Sequence, residues 1–250
     1  MIEDDLRHMS HALALARRGL GRVWPNPAVG CVLVKNNRVV GRGRTADGGR
    51  PHAEVEALAV AGEVAHASTA YVTLEPCSHH GQTPPCAQSL IAAGVSRVVV
   101  GTGDPNPLVD GKGIELLRSA GIEVTVGVLE AEARALNAGF FSRIRNGRPR
   151  LTLKLALSVD GRIATASGES KWITGAEARR AVHGLRASHD AVFVGGGTAR
   201  ADDPELTVRG FGVSRQPVRI VATRNLNMSW PNRLSDTIEQ APVWIVHGEG

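Results

Sequence analysis

The chain has 250 residues, 42% apolar and 21% charged, an ordinary globular composition that excludes fibrous and disordered classes. Its 29 Lys+Arg against 24 Asp+Glu give a net +5; residues 1–146 carry 15 against 14, and residues 147–250 carry 14 against 10. No run approaches the ~20 apolar residues of a membrane span, the acidic start Glu3-Asp4-Asp5 argues against a secretory signal, and three cysteines make no disulfide framework, which fits a reducing cytoplasm.

Taken in chain order, Leu6, Met9, Leu13 and Ala16 recur at helical spacing over residues 4–19, with Gly19 as the stop. Residues 29–34 and 39–43 read as strands joined at Asn36-Asn37, a hairpin signal. The pattern then predicts a helix over 52–61, a strand over 70–74, a helix over 85–93 and a strand over 96–100. A helix over 113–120, a strand over 123–126 and a helix over 130–144 follow. Strands alternating with helices predict an α/β layer fold with a mainly parallel sheet. The segment RNGRP (145–149) reads as a linker between domains at 1–146 and 147–250. The second domain opens on LTLKLAL from Leu151, read as a strand. A helix over 176–187 and strands at 191–194, 218–222 and 243–246 complete it.

The most informative residues are His52-Ala-Glu54 at a helix start, followed by Pro76-Cys77 and Cys86. One imidazole and two thiolates make three zinc ligands and leave a fourth position for water. Zinc lowers the pKa of such a water to about 7, and Glu54 is the kind of group that shuttles its protons. A His-x-Glu followed by Pro-Cys and a second Cys is the arrangement of zinc nucleobase deaminases. Cys86 at its own helix start gains thiolate character from the dipole. The competing readings are a four-ligand structural zinc site using His79 or His80, and ordinary core cysteines. Cys31, inside VGCVLV, reads as core.

The two cysteines are separated by eight residues, SHHGQTPP, rather than two. The stretch LEPCSHHGQTPPC, with PNPAVGCVLV and HAE before it and DPNP after it, resembles bacterial bifunctional riboflavin-biosynthesis deaminase–reductases, which share the longer gap. The resemblance implies a cytidine-deaminase-like three-layer αβα domain, followed by a dihydrofolate-reductase-like α/β domain. It implies zinc on His52, Cys77 and Cys86, and Glu54 as proton donor and acceptor. The substrate would be a diaminopyrimidinone ribosylamino 5′-phosphate whose ring amine is replaced by oxygen. Asn26, between two prolines, and Asp104 and Asn106, after a strand end, are polar groups suited to such a ligand. Each is also an ordinary turn former. His79 and His80 are loop histidines that either touch substrate or stay solvated.

In the second half, Gly195-Gly196-Gly197-Thr198 after AVFV reads either as a tight turn or as backbone open to a phosphate. The run ADDP reads as a solvated helix cap before LTVR. LKLALSVDGRIA, GESKWIT and ARADDPELTVR resemble the same family's NADPH-dependent reductase domain. On matching positions Ala156, Trp172, Thr198 and Asp202 would touch NADP. Ser170, Arg186, Leu206 and Arg209 would bind the phosphorylated pyrimidine, with Lys154 close by. Paired arginines suit a phosphate; surface arginines on a basic domain are the plain alternative. Family members run on past residue 250, so this half is expected to be incomplete and weakly active as a reductase. The expected ligand is a small phosphorylated pyrimidine, with no membrane and no nucleic acid, in a cytoplasmic homo-oligomer. A nucleic-acid base deaminase is the alternative raised by the basic charge; 4 Phe, 4 Trp and 1 Tyr leave few stacking platforms for it.

Overall fold

Acidic Glu3, Asp4 and Asp5 lie in the first turn of α1 (Ile2–Arg17) and Arg17 in its last, each favoured by the helix dipole. The computed structural model describes residues 2–79, 84–228 and 230–248. The chain divides into two units, Met1–Leu151 and Thr152–Gly250.

In the first unit, β1 (Gly30–Lys35) and β2 (Arg38–Arg44) form an antiparallel hairpin. Both turn residues, Asn36 and Asn37, take left-handed backbone (φ 50° and 59°), the conformation a two-residue hairpin needs. Then come α2 (Ala53–Ala61), β3 (Thr69–Leu74), α3 (Cys86–Ala92), β4 (Arg97–Thr102), α4 (Lys112–Ser119), β5 (Glu123–Val126), α5 (Glu130–Leu136) and α6 (Ala138–Asn146). The strand order is β2-β1-β3-β4-β5. β1 runs antiparallel to β2 and β3, while β3, β4 and β5 are parallel. The sheet is therefore mixed, not mainly parallel, because a two-residue turn joins only antiparallel strands.

Strand alternation makes the layers. Cys31 and Leu33 of β1 join Val72, Val98 and residues of α2, α3 and α4 on one face. Val32 and Val34 meet Met9, Ala12 and Leu13 of α1 and Ala133 of α5 on the other. Two glycines set how close α2 comes to the sheet. A Cβ at Gly41 would lie 2.3 Å from the Ala57 carbonyl, and one at Gly43 2.4 Å from that of Ala53. α2, which starts just after His52, thus packs directly on the backbone of β2.

The expected helix over 130–144 is two helices, and Asn137 is the break. Its backbone leaves the helical region (φ −99°, ψ 21°). Its buried amide accepts from Ala28 N and donates to Ala28 O, both at 2.9 Å. Beyond that break, Phe141 of α6 enters the core.

The second unit contains α7 (Ala176–Ala187), β6 (Ala191–Gly195), α8 (Gly196–Asp202), β7 (Val218–Ala222), α9 (Arg233–Asp236) and β8 (Val243–Val246). The strands form a parallel sheet in the order β6-β7-β8. The segment LTLKLAL is not a strand. Leu151, Leu153, Leu155 and Leu157 stand 85, 82, 58 and 43% exposed. Its alternation marks a face, but a strand is stabilised by cross-strand pairs, and no described residue supplies a ladder to it. Helix α9 escaped the sequence reading; its signal is Asn232, whose side chain accepts from Leu234 N and Ser235 N in a capping box.

Candidate metal centre

The ends of β3 and β4 point to one edge of the first unit, where ligands sit in α/β sheets. His52 is the N-cap of α2 in extended backbone and makes no capping bond, so its ring is free for other partners. Cys77 follows β3 by three residues, and Cys86 opens α3 behind Pro85. His52 Nδ1 lies 3.3 Å from Cys86 Sγ and 3.7 Å from Cys77 Sγ, and the Cys86 backbone N–H donates to Cys77 Sγ at 3.3 Å. All three donor atoms fall within 4.8 Å of one another.

The three donors strongly perturb one another's ionisation. The hydrogen bond from the Cys86 side chain, then that from His52, pulls the Cys77 thiol down to about 4, against the opposing effect of burial. The same bond to Cys77, together with burial, pushes the Cys86 thiol far up. The hydrogen bond to Cys77 raises His52. Glu54, one residue inside α2, is 3% exposed; burial first and the Cys77 charge second push its carboxyl up to about 7. Imidazole and thiolate donors at this separation fit zinc and not magnesium or calcium, which take oxygen ligands. His79 is exposed and outside the donor group; His80 lies outside the described residues. Cys31 is fully buried, and burial pushes its thiol well above the usual range.

Asn26 Nδ2 donates to Gly49 O at 2.7 Å and lies 3.3 Å from His52 Nε2. Asp104 is 9% exposed, and burial pushes its carboxyl up to about 6 while the Asn106 N–H it accepts, at 2.8 Å, opposes that. Sequence reasoning missed Glu75. The acid is 4% exposed and immediately precedes Pro76-Cys77; a carboxylate that close to a ligand was the available signal.

In the second unit, Arg186 and Arg209 come together: burial and the Arg209 charge lower the Arg186 pKa. Arg186 donates to Thr207 O at 3.0 Å, and Arg209 donates to Glu205 at 2.6 Å. Leu206, buried, lies between these anchors at φ 58°. The glycines after AVFV form neither a free turn nor an open loop: Gly195 is the N-cap of α8, with Thr198 and Asp202 a turn apart on that helix. Asp203 ends α8 in left-handed backbone and accepts from Arg233 N. Lys154, Ala156, Ser170 and Trp172 lie outside helix and strand, and Trp172 is 73% exposed. Among the described residues, no hydrogen bond joins these four to Thr198, Asp202 or the arginine pair.

This is an αβα unit with a His/Cys/Cys centre and a buried acid, followed by an α/β unit with a parallel sheet. Residues 2–102 match the cytidine and deoxycytidylate deaminase zinc-binding region, and residues 149–249 match the RibD C-terminal domain. The class is thus a zinc-binding deaminase domain joined to a reductase domain that implies NADPH. The riboflavin biosynthesis protein RibD of Aquifex aeolicus is 50% identical over 98% of this chain and 68% of its own length. That of Escherichia coli is 53% identical over 89% of this chain and 61% of its own. The crystal structure of the Thermotoga maritima diaminohydroxyphosphoribosylaminopyrimidine deaminase/5-amino-6-(5-phosphoribosylamino)uracil reductase superposes with a TM-score of 0.92. It is 42% identical, over 99% of this chain and 71% of that one. The chain belongs to the RibD family of riboflavin biosynthesis proteins and spans 61–68% of the length of these two curated relatives.

Proposed function

We propose that the first unit hydrolytically deaminates a diaminopyrimidinone ribosylamino 5′-phosphate. The observation that carries the reading is Glu54, buried beside three convergent zinc donors. His52, Cys77 and Cys86 would hold zinc, which would supply Lewis acidity that brings a water's pKa to about 7. Glu54 accepts the water's proton as the C–O bond forms and delivers it to the ring amine as the C–N bond breaks, so ammonia leaves, and the remaining hydroxyl proton passes to the adjacent ring nitrogen as the carbon becomes a carbonyl. Asn26, Asp104 and Asn106 line the approach and bind the polar ligand, and the walls around Glu54 keep bulk water from its carboxyl.

The second unit is read as the reductase half, delivering a hydride from NADPH to the open aldehyde form of the ribosyl group to give a ribityl chain. Arg186, Arg209 and Leu206, with Ser170 and Lys154, take the phosphorylated pyrimidine. Thr198 and Asp202 share one face of α8 and suit a nucleotide, and Gly195 and Gly197 leave open space beside the backbone there. Ala156 and Trp172 complete the proposed cofactor set. The same reading makes the partner a small phosphorylated pyrimidine and not nucleic acid, in a cytoplasmic homo-oligomer. Uncovered Phe193 and Trp244 on the second sheet support association, and no described helix is long and apolar enough to cross a membrane.

The test is incubation of the zinc-loaded chain with the diaminopyrimidinone nucleotide, with and without NADPH. Ammonia release is expected, and Glu54→Gln lowers it roughly 10²–10⁴-fold with zinc retained. Near-normal release by that variant, or none by the parent, overturns the reading. Because Ala156 and Trp172 lie on irregular backbone outside helix and strand, product-dependent NADPH oxidation by this chain is expected to be slow; a robust rate would show the cofactor residues misassigned.

A further inference from the structure

Glu75 sits between the end of β3 and Pro76-Cys77, 4% exposed. Its carboxylate accepts four backbone N–H groups, all from the chain after β4. Oε2 accepts from Asp104 at 3.3 Å and Gly111 at 3.1 Å; Oε1 accepts from Gly113 at 3.0 Å and Ile114 at 3.3 Å. One oxygen thus pins both ends of the loop 104–111, and the other satisfies N–H groups in the first turn of α4, which have no partner within the helix. The approach is close: a Cβ at Gly113 would lie 2.0 Å from the Pro76 carbonyl. Within the loop, Asp104 Oδ1 accepts from Asn106 N and Asn106 Oδ1 from Leu108 N, so both side chains are also turn-fixing groups.

We infer that Glu75 is a positioning residue for substrate binding, fixing the 104–111 loop, with Asp104 and Asn106, at a set distance from Cys77. The inference rests on the deaminase reading above. A brace serving stability alone has no reason to bond both ends of a polar loop whose Asp104 lies near enough to Cys77 to feel its charge. Charge-assisted bonds from backbone N–H groups to one buried carboxylate are the stronger kind, and they set the loop before substrate arrives, so less ordering is required on binding.

The test uses the full zinc-loaded chain. In Glu75→Gln, whichever way the amide turns, two N–H donors face an NH2. Hydrogen exchange at the Asp104, Gly111, Gly113 and Ile114 amides should rise roughly 10- to 100-fold, while β1 and β3 amides stay unchanged. KM should rise roughly 10-fold with kcat within about threefold and zinc retained. Glu75→Asp, which keeps the charge on a shorter arm, should fall between the two. An unmoved KM beside a lowered Tm overturns the inference and leaves Glu75 a brace. Loss of zinc, or failure of both variants to fold, also overturns it. Parent protein that releases no ammonia defeats the deaminase reading and this inference together, whereas an active parent with an unmoved KM in the variant defeats the inference alone.

Discussion

Replacing Asn137 by alanine cuts two hydrogen bonds to a peptide unit 109 positions away in sequence, the N–H and C=O of Ala28. Each bond is worth about 1 kcal/mol net, and each buried group left unpaired costs about 1–3 kcal/mol more. Ala28 is 2% exposed and Asn137 4%, so neither group has bulk water to fall back on. A water entering the vacated volume recovers part of this. The expected cost is about 3 kcal/mol, or roughly 100-fold in the opening equilibrium. Native-state hydrogen exchange at β1 and β3 amides reads it for the first unit by itself. Asn137→Asp is the sharper variant, since it keeps the acceptor for Ala28 N but sets an oxygen against Ala28 O; it should cost at least as much. A change under about 1 kcal/mol in the alanine variant, or a tolerated aspartate, refutes the reasoning. The clasp also bears on the site, because Ala28 follows directly on the Asn26 turn that lies against His52.

Asp5 accepts two bonds from Arg97, at 2.8 and 2.9 Å, and one from Tyr71 at 2.9 Å. The Arg97 bond lowers its pKa in the folded chain, so its contribution is complete above the unfolded value near 4 and is lost as pH falls through the folded one. Asp5→Asn should cost roughly 2–3 kcal/mol at pH 7 and flatten the acid limb of a stability–pH profile; an unchanged limb counts against the pair. Gly113→Ala forces a Cβ 2.0 Å from Pro76 O and should destabilise by roughly 1–3 kcal/mol, read as a lower Tm. Chelation should abolish ammonia release, with zinc and not magnesium restoring it at about one ion per chain, as the sulfur donors require; full activity in metal-free protein would refute the centre.

The hairpin was legible because Asn36 and Asn37 are adjacent and their left-handed backbone is a local property. The metal donors were legible because zinc needs a narrow set of atoms, which His52, Cys77 and Cys86 supply at a helix cap, a strand end and a helix start. Where the reading failed, the deciding partner lay far along the chain. The run after Glu130 carries a helical pattern through to Ile144, yet Asn137 leaves the helix, where Ala28 offers its amide two bonds. LTLKLAL alternates as a strand does, but alternation specifies a face and not a neighbour. Buried Arg219 is similarly opaque: it is 0% exposed, and its guanidinium reaches Glu205 O, Thr237 and Ala241 O.

The same division explains why the donors converge at all. His52 is carried by α2, whose distance from the sheet is set by the missing side chains of Gly41 and Gly43. Cys77 is carried by β3, whose register is fixed on both sides, antiparallel to β1 and parallel to β4. Cys86 is placed by Pro85, buried at the N-cap of α3, and by its own N–H on Cys77 Sγ. Three unrelated restraints meet within 4.8 Å, so a change at Gly41 or Gly43 displaces the imidazole while leaving the sulfur pair in place. Gly43→Ala should therefore weaken zinc retention more than it disturbs the β3–β4 amides, measured by competition with a chelator and by hydrogen exchange. Equal loss in both would mean that the glycines serve the sheet and not the centre.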